Sequence, residues 1–296
     1  MIKFILMKEE SMKRLQLKFV SFFISLFALQ TLLPAKVYAE ELIVFCGAAF
    51  KKPLDEVIQH YDKEKVIANY GSVSTLLSQL TLGKQGDVLF VPSPDIMEQA
   101  VKKGLVKKES INNFLYLVPV IVVKKGNPKK IQGLEDLLRP DVRFAMANPE
   151  TVYIGALAAE IFEKNLSPDK LNILRKKTQT YAEDISKLLS YLLMDQVDAI
   201  LGFDFLKGWA PDKVDIVKLK PNQVIRIGHA GIGVVTYSKK PEKAEKFINF
   251  ILSDKGQEVF KKYGYITSIK EAYDFIGETK PVGGVPTFSK DWLIKK

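Results

Sequence analysis

Three hydroxyl side chains crowd one turn. Ser72, Ser74 and Thr75 follow Gly71 and precede Leu76, Leu77 and Leu80, which recur at helical spacing. These residue types favour a helix N-cap, and the glycine lets the stretch 66–70, read as a buried strand, turn sharply into the helix. A helix start carries N–H groups without intrahelical partners and a partial positive charge. It can therefore hold an anion without any lysine or arginine. One such turn is no more than a capped helix. The same grammar recurs, however, at Gly47-Ala48-Ala49-Phe50 after the strand 41–46, at 148–155 after the strand 142–147, and at Ala182-Glu183-Asp184 before the helix 185–194.

Other chemistries find less support. Cys46 ends the first strand and reads as a small buried apolar residue. A nucleophile would need a base, and neither His60, in mid-helix, nor His229, in a glycine-rich segment, pairs with it in sequence. Clustered Cys and His for zinc are absent from the sequence. Glu150 and Asp184 suit helix starts better than acid–base work. Trp209 reads as a packing residue near the end of the second block.

The elements that must position these turns alternate strand and helix. Strands at 41–46, 66–70 and 86–91 each lead to a helix, which implies a parallel sheet. The run 114–123 is apolar on both faces but holds Pro119, so it reads as a crossing between two lobes rather than one regular strand. A second strand–turn–helix block follows. The segment 224–238, with Gly228, Gly231 and Gly233, reads as the return crossing with the glycines as a hinge. Helices at 241–252 and 255–263 complete the first lobe. The last stretch, with Pro281, Gly283, Gly284 and Pro286, reads as an irregular surface tail. The expected division is 1–39 export signal, 40–118 with 230–296 as lobe 1, and 119–229 as lobe 2.

Charge and composition narrow the function classes. Lys13, Arg14 and Lys18 precede an apolar run over 19–33, and Val37-Tyr38-Ala39 fits a signal-peptidase site. Removing 1–39 takes away six basic and two acidic residues and lowers the formal net charge from +10 to +6. One cysteine makes no internal disulfide, so an exported chain must rely on its core. Lysines such as Lys243 and Lys246 lie beside Glu242 and Glu245, with no arginine-rich stripe; nucleic acid is a poor partner for such a surface.

With these blocks in view, the chain resembles the periplasmic molybdate/tungstate-binding protein family. The resemblance rests on Ile43-Val44-Phe45 before a small-residue turn, Gly71-Ser72-Val73-Ser74-Thr75-Leu76, Gly86-Asp87-Val88-Leu89, Asn148-Pro149-Glu150, Ala182-Glu183-Asp184 and the 260–265 block, in that order. It implies an α/β, two-lobed type II periplasmic binding protein fold, each lobe a mainly parallel sheet flanked by helices, joined by two crossover segments. It also implies capture of a tetrahedral oxyanion, molybdate or tungstate first, and delivery to the membrane permease of an ABC importer by a periplasmic monomer. No cofactor, metal or catalysis is expected. The positions that match the family's ligand set are Ala49, Val73, Ile154, Ile185 and Gly202, with Ser72, Ser74, Thr151 and Tyr153 beside them. At Ala49 and Val73 the family's serine is lost, and at Gly202 its tyrosine; backbone donors survive such changes and hydroxyls do not. Sulfate, phosphate or another small anion, and a ligand-sensing subunit, are the rival readings.

Overall fold

The computed structural model of the protein describes residues 41–178 and 180–292. The export signal and its cleavage point at Ala39 lie outside the described residues. No helix among the described residues is long and apolar enough to cross a membrane.

The first block runs β1 (Leu42–Gly47), α1 (Lys51–His60), β2 (Val66–Gly71), α2 (Val73–Gly83), β3 (Val88–Val91), α3 (Pro94–Lys102) and β4 (Asn112–Leu117). The second runs β5 (Pro119–Lys124), β6 (Phe144–Ala147), α4 (Tyr153–Asn165), α5 (Pro168–Lys177), β7 (Tyr181–Ala182), α6 (Ile185–Leu193), β8 (Ala199–Phe203), α7 (Leu206–Trp209) and β9 (Val214–Lys218). The chain then returns through β10 (Gly228–Val234), α8 (Pro241–Leu252), α9 (Asp254–Lys262) and α10 (Ile269–Ile276).

Two five-stranded sheets result, ordered β2-β1-β3-β10-β4 and β7-β6-β8-β5-β9. In each, one strand runs against the other four: β10 is antiparallel to β3 and β4, and β5 to β8 and β9. The reversed strand is in each case the one that enters from the other sheet. β4 ends at Leu117 and β5 starts at Pro119, so a single residue, Val118, separates them. Proline tolerates the first position of a strand because its missing N–H costs the ladder least there. A strand that leaves one sheet at its carboxyl end enters the next at its amino end. The carboxyl ends of the parallel strands in both sheets therefore point toward the crossing, the usual place for ligands in open α/β sheets.

Side-chain alternation packs helices on both faces of the first sheet. Leu42, Val44 and Cys46 join the core under α1, while Phe45 faces Leu76, Leu80 and Met97 of α2 and α3. Phe50 stacks on Phe90 at 4.3 Å, and Phe260 meets Phe90 edge-on at 5.9 Å. Burying each such ring contributes about 1.5–3 kcal/mol, so this cluster fixes the turn after β1 to α9.

The mainly parallel, two-lobed arrangement is as expected; several local readings change. β2 is an edge strand and only half-buried, not a buried one, because no sixth strand covers it. The glycines of β10 are closely approached by neighbouring side chains. A Cβ at Gly228 would sit 2.9 Å from Tyr153 Cε1, and one at Gly233 2.8 Å from Val106. Three helices, α5, α7 and α10, go beyond the sequence reading, and α7 is only four residues long. α5 offers only Leu171 and Leu174 as buried residues, too few for a clear period, and α10 offers Ala272 and Ile276. The tail after α10, expected on the first lobe's surface, leaves it. Ser289 and Trp292 bond to Glu163 on α4, and Trp292 is fully buried.

Candidate anion site at the strand ends

Four of the turns singled out in the sequence lie at carboxyl ends of strands. The sheet register brings them together in pairs. Gly47 at the end of β1 is the register partner of Gly71 at the end of β2, and Ala147 of β6 is the partner of Ala182 of β7. The turns that hold Ala49 and Ser72 are thus neighbours in one sheet, and those that hold Tyr153 and Ile185 in the other.

Ser72 caps α2. Its Oγ accepts the Thr75 N–H at 3.3 Å and lies 3.1 Å from Ser74 Oγ and 2.8 Å from Thr75 Oγ1. Three exposed hydroxyls therefore meet at one helix start. Among the described residues, the Val73 and Ser74 N–H groups have no protein acceptor, whereas Thr75 and Leu76 bond back to Ser72. The same holds at α4, where Gly155 and Ala156 N–H bond to Val152 and leave the Tyr153 and Ile154 N–H groups free. It holds again at α6, where Asp184 takes the Lys187 N–H at 2.8 Å and the Ile185 N–H stays open. Ile154 is buried and Ile185 and Val73 are half-buried against the core, so these three positions offer backbone, not side chains. Thr151 is exposed beside α4.

Ala49 lies in a 3-10 turn, Ala48–Phe50. Its carbonyl accepts the Tyr265 hydroxyl at 2.7 Å, and the indole N–H of Trp209, from the second block, donates to that hydroxyl at 3.2 Å. Phe205 stacks on Tyr265 at 4.7 Å and packs beside Trp209 at 5.2 Å. Burial pushes the Tyr265 phenol well up, so it stays a neutral donor. In the sequence Tyr265 is part of the 260–265 block and Trp209 reads as packing or the edge of the cleft; their hydrogen bonds link α7 to the Ala49 turn and leave no periodic signal in the sequence.

Gly202 behaves differently from the rest. It lies inside β8, one residue short of its end, and a Cβ there would meet Leu206 Cδ1 at 2.6 Å and Val122 Cγ2 at 3.3 Å. That direction points into packed side chains, so a side chain at this position would have to displace the Leu206 methyl. The next residue, Phe203, carries the aromatic ring instead and stacks on Tyr153 at 6.4 Å. Tyr153 is half-buried, its phenol held up by burial, and its hydroxyl donates to Gly284 of the tail at 3.4 Å.

The turn after β3 also lies at the carboxyl end of a strand, and the sequence does not mark it as a site turn. Its Ser93 is buried, and its hydroxyl bonds to Asp95 in the first turn of α3. Pro92 of that turn lies against Gly47, where a Cβ would be 2.7 Å from the proline Cδ.

The site turns carry acids, Glu150, Glu183 and Asp184, but few bases. No lysine or arginine occurs in 47–50, 71–75 or 148–154. Cations near these turns are engaged: Lys51 pairs with Asp55 at 2.7 Å and lies over the Tyr70 ring, Lys187 pairs with Glu183 at 3.3 Å, and Arg226, whose charge acts on Tyr153, pairs with Glu160 at 2.8 Å. Cys46 is fully buried, and burial, with Asp55 nearby, pushes its thiol well above the ordinary range. Such a thiol is not a nucleophile at neutral pH. No group of three or more His, Cys, Asp or Glu side chains suited to a metal ion occurs among the described residues. An open pocket of about 340 Å³, lined by Glu163, Lys164, Thr287 and Phe288, lies away from the strand ends, and its carboxylate is already paired with Arg175.

Comparison with known proteins agrees with this geometry. The family model for bacterial extracellular solute-binding proteins matches residues 42–266. A binding protein of Haemophilus influenzae is 26% identical over 236 residues, covering 78% of this chain and 92% of that protein. The molybdate-binding protein ModA of Mycobacterium tuberculosis is 23% identical, covering 77% and 85%. Among solved structures, the periplasmic molybdate-binding protein of Azotobacter vinelandii superposes with a TM-score of 0.65 at 18% identity, covering 77% of this chain and 99% of that one. The sulfate-binding protein SubI of M. tuberculosis superposes with a TM-score of 0.68 at 19% identity, covering 82% and 93%. The fold is that of the type II periplasmic binding proteins.

Proposed function

The chain belongs to the bacterial extracellular solute-binding protein family, and we propose that it captures a tetrahedral oxyanion, molybdate or tungstate first, for an ABC importer. The observation that carries this reading is the set of free N–H groups at Val73, Ser74, Tyr153, Ile154 and Ile185, on helix starts from both sheets, with no lysine or arginine in 71–75 or 148–154. Neutral donors at helix starts suit a compact, fully ionised dianion. A bidentate arginine, by contrast, would favour carboxylates. The similarity to ModA supports molybdate as the first candidate.

In this reading the lobes are 40–118 with the return segment from 230, and 119–229, and they close on the anion by bending at the crossings. Ala49, Ser72, Val73, Ser74, Thr151, Tyr153, Ile154, Ile185 and Gly202 line the site. The segment 1–39 directs export, the mature chain is a monomer in the periplasm, and the permease of the importer is its partner. No catalytic step is assigned: the one thiol is buried and raised in pKa, and the family members compared are binding proteins.

Sulfate is the second reading, favoured by similarity to a sulfate-binding protein of Synechococcus elongatus, 24% identical over 227 residues, and by the overlap with SubI in fold. Cage size separates the two, because molybdate and tungstate have longer metal–oxygen bonds and helix-start donors cannot shift far. Calorimetry with molybdate, tungstate, sulfate and phosphate decides. Tight molybdate and weak sulfate binding is expected, and Ser72→Ala costs about 1.5–3 kcal/mol of binding through a charge-assisted hydroxyl bond. Tight sulfate or phosphate binding with no heat from molybdate would overturn the specificity and leave the family role standing.

A further inference from the structure

The tail from Pro281 to Trp292 runs from one sheet's helices to the other's. It starts from α10, which packs on β4 of the first sheet. It then pairs with the return crossing: the Ile227 N–H donates to Pro281 O at 2.9 Å, and the Gly283 N–H to Ile227 O at 2.8 Å. It ends on α4 of the second sheet. There Thr287 donates through its N–H and its hydroxyl to Glu160 at 3.2 Å, Ser289 N–H donates to Glu163 at 3.0 Å, and the Trp292 indole donates to Glu163 at 2.9 Å. Trp292 is fully buried, stacked on Phe162 at 5.8 Å with the Arg175 guanidinium over its ring at 4.9 Å.

The middle of this path is fitted closely. Gly283 and Gly284 have φ of 73° and 82°, which L side chains rarely adopt. A Cβ at Gly283 would be 2.7 Å from His229 Nε2, and one at Gly284 2.6 Å from Arg226 Nη1. Arg226, in the return crossing, forks onto the buried Glu160 with two bonds of 2.8 Å and also donates to Gly283 O at 3.3 Å. Glu160 therefore holds the crossing and the tail with one carboxylate. At the same place the Tyr153 hydroxyl donates to Gly284 O.

We infer that residues 281–292 are a strap, anchored by Trp292, which restrains the opening of the two lobes and positions Tyr153 at the anion site. The restraint follows from the bonds themselves. Any rotation of one sheet's helices away from the other about Val118 and the return crossing must stretch a chain fixed at α10 and at α4, or break its bonds to Ile227 and Glu160. The Tyr153 half of the inference rests on the solute-binding reading; the restraint half does not.

Trp292→Ala in the full chain removes the anchor. The expected result is at least about tenfold faster hydrogen exchange at the Ile227 and Gly283 amides, together with a larger radius of gyration in X-ray scattering without ligand. Gly283→Ala, which displaces the strap at its middle while leaving the Trp292 contacts in place, gives the same two changes and serves should Trp292→Ala fail to fold. Amides that exchange as in the parent protein, or faster exchange with an unchanged radius, would overturn the strap. With sodium molybdate as the probe, the parent binds and the Gly283→Ala variant dissociates faster if Tyr153 is positioned by Gly284; an unchanged dissociation rate overturns that half. A parent that binds no molybdate refutes the ligand reading alone, since exchange and radius are read without ligand.

Discussion

The carboxylate of Asp204 accepts the Val118 N–H at 2.8 Å, and the Asp204 N–H donates back to Val118 O at 3.0 Å. Val118 is the one residue between β4 and β5, so a buried acid from the end of β8 clamps the first crossing. Burial raises the carboxyl to about 7, although the N–H groups of Val118, Asp204 and Phe205 favour its charged form. The same pairing leaves the crossing with no free backbone group, which is what a buried chain reversal requires.

Asp204 therefore makes stability depend on pH in a definite direction. Its folded pKa is above its unfolded one, so its favourable contribution is full below about pH 4 and is lost as pH rises toward 7. The whole span is worth about 4 kcal/mol at 1.36 kcal/mol per unit. Asp204→Asn keeps the acceptor for Val118 and removes the titration. Its melting temperature is expected to exceed that of the parent at pH 8 and to change less between pH 5 and 8. Parallel curves for the two proteins would show that Asp204 does not titrate there.

Tyr265 gives a second test, this one on the Ala49 turn. Tyr265→Phe keeps the ring stack on Phe205 but leaves the Ala49 carbonyl and the Trp209 indole without their partner. The expected loss in urea unfolding is about 1–3 kcal/mol. Oxyanion affinity is expected to fall as well, because the turn that carries Ala49 is no longer held. Full affinity in a folded Tyr265→Phe protein would remove the Ala49 turn from the site.

How much of this was legible in the sequence follows from the kind of signal each part leaves. The helix cap at Ser72 and the crossing at Pro119 are local, written in residue types at fixed offsets, and both lie where the sequence puts them. The two-sheet layout follows from alternating strands and helices. What was not legible is pairing between distant residues. Nothing near Trp292 announces that its indole meets Glu163, 129 positions away. Likewise, Gly202 looks like a strand-end glycine until Leu206 is found against it. A glycine reports freedom or crowding in the same letter, and the sequence does not say which; in β10 and β8 it is crowding.

The acidic side of the stability curve should belong to Asp198. It begins the turn into β8, accepts the Arg143 N–H at 2.8 Å and its guanidinium at 2.9 Å, and pairs with Lys124 at 3.4 Å. Burial would raise this carboxyl, but the Arg143 side chain and N–H outweigh it and bring the pKa down to about 2. Its contribution is thus present above about pH 4 and is lost as pH falls through 2, opposite in sign to Asp204. Asp198→Ala leaves the Arg143 N–H without its acceptor and its guanidinium with Asp195 alone, and is expected to cost about 2–3 kcal/mol at pH 7. A cost below about 0.5 kcal/mol, the level of an ordinary surface change, would show that the pair is idle.

The last prediction concerns salt. If the anion is held by N–H groups at Val73, Ser74, Tyr153, Ile154 and Ile185, the contacts are short and shielded from solvent once the lobes close. Screening at about 8–10 Å in ordinary buffers then changes them little. Lysines at the surface act over longer distances and are screened fully. Lys51 and Lys187 are already paired with Asp55 and Glu183, so neither is free to supply the main attraction. Affinity for molybdate is therefore expected to drop less than about threefold between 50 and 500 mM sodium chloride, with most of that in the association rate. A fall of a hundredfold over the same range would move the binding energy to surface lysines and away from the helix starts.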